Sequence, residues 1–367
     1  MGSSSKITIV IVSYNGRKYL PDCFNSLGKQ TLLPEEIIVI DNASTDGSQE
    51  FLSKFKVRLI EPHAELDGME ILRVKVIFNN KNSGFARANN QGIEIALRNK
   101  SDYIFLLNQD TVCRPDCLEK LVEWAEREKK NVFAWQPMIL CWPQKDLIQT
   151  AGDKIHYLGF GFCGDYKKPI NQLSIINNQL SDITYASGAA MFINAGLLSE
   201  VGLLDRDLFL YHEDLDLCLR ARFLGYEIKL APAAIIYHKY TEGIPKHRWY
   251  WSERNRLLTL LKFYKWQTLI LVFPAWLFME GGVLSFSLMT GWFHLKLKSY
   301  FTCLWQIPKT LIKRKKLQKI RKIKDRQLAE FLEAEFSFAG FENQIIKKIV
   351  NPILGTYWRL ARKIIFW

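Results

Sequence analysis

Four short polar clusters stand directly behind β-branched runs in the first third of the chain. They are Ser13-Tyr14-Asn15-Gly16, Asp41-Asn42, Asn80-Lys81-Asn82-Ser83-Gly84 and Asn108-Gln109-Asp110. In an open α/β sheet, ligands bind beyond the carboxyl ends of the strands, so these are residues that could do chemistry. Asp41 at a strand end can accept a hydrogen bond from the imide N–H of a pyrimidine. Gly84, opening a helix, brings backbone N–H groups and the positive end of the helix dipole to bear on phosphate. Each cluster alone also suits a helix cap or turn; four in succession favour a ligand site. No G-x-G-x-x-G follows the first strand and no G-x-x-x-x-G-K-[ST] occurs, which removes the dinucleotide-binding and P-loop readings.

The elements that must position these clusters alternate, β-branched run with helical pattern, from Lys6 to about Ala233. That is the pattern of an α/β fold with a largely parallel sheet. Strands are predicted at Ile7–Val12, Glu36–Ile40, Val57–Ile60, Val74–Phe78, Tyr103–Leu107, Val132–Ile139 and Ala189–Ile193, with one or two more in Tyr226–Tyr237. Helices are predicted at Lys18–Lys29, Gly84–Arg98, Pro115–Lys129 and Glu213–Leu224, and Thr45 or Asp46 can cap another after the second strand. A polar insert fills Glu61–Glu70, and the Gly- and Asn-rich stretch between Pro143 and Asp182 reads as loops.

Six segments, in order, resemble glycosyltransferase family 2, in particular its rhamnosyltransferase-like branch of surface-polysaccharide enzymes. They are Ile9 to Gly16, Val39 to Gly47, Asn82 to Gly92, Leu106 to Thr111, Ala186 to Ile193 and Phe209 to Arg222. The resemblance spans roughly residues 6 to 262. It implies a GT-A nucleotide-diphospho-sugar transferase fold, Rossmann-like with a mostly parallel mixed sheet. It also implies inverting transfer of a sugar from a nucleoside-diphosphate donor to a hydroxyl.

By position in those motifs, Ser13, Tyr14, Asn15 and Asp41 would hold base and ribose, and Asn82, Gly84 and Asn89 would line the nucleotide pocket. Asn108, Gln109 and Asp110 match the family's D-x-D position. There Asp110 would bind Mn²⁺ or Mg²⁺ bridging the two phosphates, since hard oxygen ligands suit either ion. Asn108 stands where the family has its first acid; a neutral amide can still contact ribose or a water on the metal. His238 matches a third metal ligand after the last strand. Asp214 would be the base that takes the acceptor's proton, with Glu213 orienting the acceptor. Ser187, Gly188 and Arg254 would meet acceptor or phosphate, Asn255 belongs to the same pattern, and the loops from Pro143 to Asp182 would shape the acceptor side. The bland alternative is that Glu213, Asp214 and Asp216 favour a helix N-terminus electrostatically; an acid can do both. The first guess for the donor is dTDP-rhamnose or a UDP-sugar, and for the acceptor a lipid-linked glycan or polysaccharide precursor.

The net charge of +13 is concentrated, with ten Lys/Arg against Asp325 alone between Lys309 and Arg326. Beside an apolar segment, such a run points to anionic lipid headgroups and away from nucleic acid. Thr268–Phe293 carries Glu280 as its only charge and is long enough to cross a bilayer. Pro274, Gly281 and Gly282 interrupt it and Glu280 is costly at mid-bilayer, so a broken or in-plane monotopic insertion competes with a span. A buried pair of core helices is the alternative. Trp292 and Trp305 suit interfacial anchoring. Ile345–Trp367 has amphipathic spacing, with Lys347, Lys348, Arg359, Arg362 and Lys363 on its polar side.

The chain is thus expected to divide into a catalytic domain, 1–262, and a helical membrane-association region, 263–367, at the cytoplasmic face of the cell membrane. Seven cysteines without a C-x-x-C pair suit a reducing compartment and argue against a zinc site. The run Ile7–Val12 is too short and β-branched for a cleavable signal. Two other readings use the same features: a catalytically inactive GT-A-like peripheral membrane scaffold, and a nucleotidyltransferase. The latter usually has a basic Gly-rich loop after its first strand, where Ser13–Gly16 offers one glycine.

Overall fold

The computed structural model describes residues 5–55, 72–128, 130–172, 181–239, 246–336 and 344–367. The chain begins β1 (Ile7–Ser13), α1 (Leu20–Gly28), β2 (Glu36–Asp41), α2 (Ser48–Ser53), β3 (Val74–Phe78), α3 (Phe85–Arg98), β4 (Tyr103–Asn108), β5 (Thr111–Cys113), α4 (Cys117–Arg127) and β6 (Val132–Cys141). It continues with β7 (Ile148–Thr150), β8 (Asp153–His156), β9 (Gly161–Cys163), β10 (Ser181–Asp182), β11 (Ala190–Asn194), α5 (Leu198–Val201), α6 (Glu213–Phe223) and β12 (Glu227–His238). Then come α7 (Lys246–Phe263), α8 (Trp266–Met289), α9 (Phe293–Ile320), α10 (Asp325–Leu328), β13 (Leu332–Glu333) and α11 (Asn351–Ala361).

The main sheet runs in the order β10-β12-β6-β11-β4-β1-β2-β3. Strands β4, β1, β2 and β3 are parallel, with Ser13 opposite Asp41 and Asp41 opposite Phe78, so the clusters behind them share one edge. β11 is antiparallel to β4 and β6, which makes the sheet mixed. Both faces are covered, which is why the strands read as continuous apolar runs. Ile7, Ile9 and Ile11 pack with Phe24, Phe51 and Leu121 on one side. Val10, Ile38 and Ile40 pack with Ala88, Ile93 and Leu215 on the other.

The expected strand Val57–Ile60 and the insert Glu61–Glu70 lie outside the described residues. Tyr226–Tyr237 is one strand, β12, whose register slips between Ala231 and Ile235, around a proline that cannot donate to the ladder. The next helix after β2 begins at Ser48, and Asp46 Oδ1 accepts the Ser48 N–H at 3.1 Å. Within the loop-rich stretch, β8 and β9 join β13 in a small sheet, Leu332 opposite Ile155. The C-terminal region therefore contributes a strand to the part expected to flank the acceptor.

That region departs from expectation in three places. Helix α8 is continuous through Pro274, Gly281 and Gly282, held by an inner face that packs along its length. Glu280 does not face lipid; it is buried and pairs with Arg256 and with Lys296 at 2.8 Å, so its charge is neutralised inside the protein. Trp292 is buried and stacks on Trp249, centroids 5.4 Å apart, at the turn into α9, whereas Trp305 stays exposed. The terminal helix α11 also docks, with Trp358 buried and stacked on Tyr157 at 4.6 Å, while Ile353 and Leu360 face outward.

Candidate active site

The edge shared by β1 and β2 carries two buried acceptors, Ser13 Oγ and Asp41 Oδ1, that have no hydrogen-bond partner among the described residues. The other Asp41 oxygen accepts from the Ser44 N–H at 3.1 Å and from Gln49 Nε2 at 2.9 Å. Burying an acceptor without a partner is costly, so Ser13 and Asp41 have the character of atoms waiting for a donor group. Tyr14, 46% exposed, stands over this edge.

Much of the remaining polar character wires the loops to one another. Asn15, in the left-handed region at φ 49, accepts the Thr45 N–H at 2.9 Å. Gln109 brackets the Tyr14 backbone, accepting its N–H at 3.1 Å and donating to its carbonyl at 3.0 Å. A side chain at Gly16 would run into that amide, at 1.9 Å from Gln109 Oε1. Asn42 accepts the Ser83 N–H at 3.0 Å and donates to Asn82 Oδ1 at 2.9 Å, while Asn82 Oδ1 also accepts the Gly84 N–H at 2.9 Å. Gly84 has φ +86 and ψ 161 before α3, and a Cβ there would sit 2.5 Å from the Phe209 ring. Only glycine fits this conformation and approach. Asn89 is buried on α3, its amide donating to the Phe85 carbonyl at 3.0 Å.

Beyond β4, Asp110 meets His238 at the end of β12, Oδ1 to Nε2 3.1 Å. β5 and β12 are paired, His238 opposite Thr111, and the Lys239 N–H donates to the Asp110 carbonyl at 2.8 Å. Burial alone would raise the Asp110 carboxyl, but the adjacent imidazole, its hydrogen bond and Arg248 outweigh it and hold the group below the ordinary range. The pair is a carboxylate oxygen and an imidazole nitrogen facing one another. Among the described residues no group of three or more His, Cys, Asp or Glu side chains gathers. A divalent ion held by few protein ligands takes the rest of its shell from substrate phosphates and water, and the Asp110–His238 donor set fits that kind of site.

The segment Ser187–Ala189 ties this corner to the acids of α6. The Asn108 N–H donates to the Ala189 carbonyl at 2.9 Å. One residue earlier, the Gly188 N–H donates to Asp214 Oδ2 at 2.8 Å, and Asp214 Oδ1 accepts the Leu215 N–H at 2.7 Å. Burial raises the Asp214 carboxyl above its ordinary value against these two donors. Glu213 is raised further by burial and by the neighbouring Asp214, and its Oε2 has no partner among the described residues. Ser187 donates its own N–H to Gln136 Oε1 at 2.8 Å. Arg254, by contrast, is buried and donates to the carbonyls of Asp207 and Leu208, both at 2.8 Å.

The model described as glycosyl transferase family 2 matches residues 8–202. The chain belongs to glycosyltransferase family 2. It is 26% identical over 277 residues to the dTDP-rhamnosyl transferase RfbF of Shigella flexneri, covering 71% of this chain and 81% of that protein. It is 31% identical over 129 residues to glycosyltransferase GlyG of Streptococcus pneumoniae serotype 4, covering 35% of this chain and only 38% of GlyG. Among solved structures it is similar to GalNAc-T7 with UDP, GalNAc and Mn²⁺, at TM-score 0.55 and 19% identity, covering 71% of this chain and 48% of that one. That likeness shows the fold, GT-A.

The family 2 match ends before Glu213, Asp214 and His238, so their standing rests on geometry. Sequence reasoning passed over Asp153, at the start of β8. Asp153 is buried, accepts from Thr150 Oγ1 at 2.6 Å and is pushed up to about 7 by burial and then by Asp214. It lies in the loop-rich stretch whose pattern gives no period, and nothing in the sequence singles it out. Asn42 was visible beside Asp41, but its wiring to Asn82 and Ser83 depends on contacts 40 residues apart.

Proposed function

We propose that this family 2 chain transfers a sugar, with inversion, from a nucleoside-diphosphate sugar to a hydroxyl acceptor, with Asp214 as the base. The observation that carries the reading is the segment Ser187–Ala189. It hydrogen-bonds to Asn108 on one side and to Asp214 on the other, and so brings the Asp110–His238 corner and the acid together at one edge of the sheet. Ser13 and Asp41 receive the base and ribose of the donor, where Asp41 Oδ1 accepts an imide N–H; this favours a uracil or thymine nucleotide. The N-terminus of α3 behind Gly84 faces phosphate.

Asp110 and His238 would hold Mn²⁺ or Mg²⁺, which would supply positive charge to stabilise a departing diphosphate. Asp214 accepts the acceptor's proton as its oxygen attacks the anomeric carbon, and the raised carboxyl brings its basicity closer to that task. The N–H groups of Gly188 and Leu215 fix the orientation of its two oxygens. RfbF, named a dTDP-rhamnosyl transferase, supports rhamnose as the first donor sugar to test.

The same protein works at a membrane surface, on a lipid-linked glycan. Among the described residues, α8 is long and apolar enough to cross a membrane. Its inner face is occupied, however: Thr268 bonds Asp325, Tyr357 donates to the Leu271 carbonyl and Glu280 pairs with Arg256. What remains is an outer face of Trp266, Ile270, Phe273 and Leu277, continued on α9 by Phe301 and Trp305, all exposed. Such a face suits in-plane insertion, with the exposed Lys315, Lys316 and Lys319 meeting anionic headgroups. The test is release of nucleoside diphosphate from a panel of UDP- and dTDP-sugars, with bacterial membranes as acceptor source and Mn²⁺ or Mg²⁺ present. Turnover of one donor supports the reading; no turnover with any of them defeats it.

A further inference from the structure

The eight residues that precede Glu213 follow an unusual path. Phe209, Tyr211 and His212 have φ of 66, 67 and 67, in the left-handed region that side chains with a Cβ avoid. Strained backbone of this kind persists only where its surroundings over-determine it. Here the surroundings are α7. Asn255 is fully buried and donates from Nδ2 to the carbonyls of Leu208 at 2.9 Å, Leu210 at 3.0 Å and Tyr211 at 2.7 Å. Its Oδ1 accepts from Arg254 Nε at 2.8 Å, and Arg254 Nη2 reaches the carbonyls of Asp207 and Leu208. Trp251, one turn earlier, stacks on Phe209 at 4.5 Å.

The loop so held touches both halves of the candidate site. At one end Phe209 lies against Gly84, and its carbonyl accepts the Ala86 N–H at 3.4 Å, beside the N-terminus of α3. At the other end the loop runs straight into Glu213 and Asp214, the first residues of α6. A second set of ties fixes its start: Lys262 spans Asp205 and Asp216, while Lys309 and Lys313 of α9 reach Asp207 at 2.7 and 2.6 Å. The loop is a bracket between donor side and base, and Asn255 is its central pin.

We propose that Asn255, with Arg254 beside it, is the positioning residue for the catalytic carboxylate: its amide holds the left-handed loop that sets Asp214 against the Gly188 N–H and at a fixed distance from the α3 N-terminus. The proposal rests on Asp214 being the base. The two N–H donors of the Asn255 amide are shared among the carbonyls of Leu208, Leu210 and Tyr211, and an aspartate there would meet them with repulsion instead of donation.

The test compares Asn255→Ala and the isosteric Asn255→Asp with Glu253→Gln. Glu253 is on the same helix and equally buried, but it pairs with Arg256 and Lys296 and touches no loop carbonyl. The expected result is a fall in kcat of about 100-fold in either Asn255 variant, with the donor KM nearly unchanged, because a small displacement of a catalytic group costs that much. Glu253→Gln, at a matched loss in Tm, keeps kcat. A second readout does not depend on turnover. In full-length protein labelled with ¹³C-aspartate, the Asp214 carboxyl, assigned with Asp214→Asn, titrates closer to the ordinary range in Asn255→Asp than in wild type or Glu253→Gln. Loss of kcat in proportion to Tm in all three variants, or an unshifted Asp214 titration in Asn255→Asp, overturns the proposal. An inactive wild type with a shifted titration would defeat the base assignment while leaving the positioning intact.

Discussion

The parallel half of the sheet, β1 to β4, and the helical region after Phe263 were read from equally plain sequence signals, yet the two differ in how far those signals went. In the first, the candidate site residues sit one or two residues behind a strand, so local pattern and their position coincide. In the second, the signals were bulk properties, apolar length and basic charge, and the structure distributes them between two tasks. Of the basic run, Lys309 and Lys313 pair with Asp207, and Arg321 pairs with Asp325 at 2.7 Å, while Lys315, Lys316 and Lys319 remain exposed. Of the apolar helix, one face builds the protein and the other is left uncovered. Charge or apolar content counted along a sequence does not say which side chains the fold will consume.

The comparison can be broken or sharpened by experiment. The largest effect is expected at Glu280. If it is a buried ion-pair member, Glu280→Ala should lower stability by about 3–5 kcal/mol in detergent-free denaturant titration, as removal of one buried partner strands the others. A lipid-facing Glu280 would instead leave stability unchanged or improve vesicle binding. Next is Asp153, whose carboxyl is pushed up to about 7. The folded state binds this proton more tightly than the unfolded chain, so wild-type stability falls as pH rises from the ordinary carboxylate range towards 7, and levels above it. Asp153→Asn removes that loss: the variant should gain on wild type across this interval, by a few kcal/mol at most, and the two should converge at about pH 4. Equal pH profiles would remove Asp153 from the buried acid group.

In the parallel half, Asp41→Asn should weaken UDP or dTDP binding in calorimetry by roughly 10–100-fold, the worth of a hydrogen bond to a charged acceptor, at little cost in Tm. Unchanged affinity would make Asp41 a turn residue only. The smallest effect is expected at the outer face of α9. Phe301→Glu with Trp305→Glu should reduce sedimentation with anionic vesicles by about tenfold, given the apolar area withdrawn, without altering UDP or dTDP affinity.

Legibility followed the range of the interactions involved. Asp41, Gly84 and Asp110 could be singled out as candidates because a strand end, a helix opening and a motif position are local facts. Pro274, Gly281 and Gly282 pointed to a break in α8 because local propensity is what they express; packing on α7 and α11 overrides it. Asn255 resembled a ligand contact in sequence, since the loop carbonyls it serves lie 44 to 47 residues earlier. The parallel strands gave the fold because their buried runs admit few topologies. Asp153 stayed hidden because Tyr185, to whose carbonyl its N–H donates, and Asp214, whose charge acts on it, come from distant parts of the chain.

The measurement that bears most directly on the account is made with Asp214→Asn. Nucleoside diphosphate release from the donor that wild type turns over is compared with the affinity of both proteins for that donor. Loss of a positioned base should cut turnover by roughly 10²–10⁴-fold with donor affinity held within a factor of about two. Turnover that survives the substitution, or a loss that follows donor affinity instead of kcat, would contradict Asp214 as the group that takes the acceptor's proton.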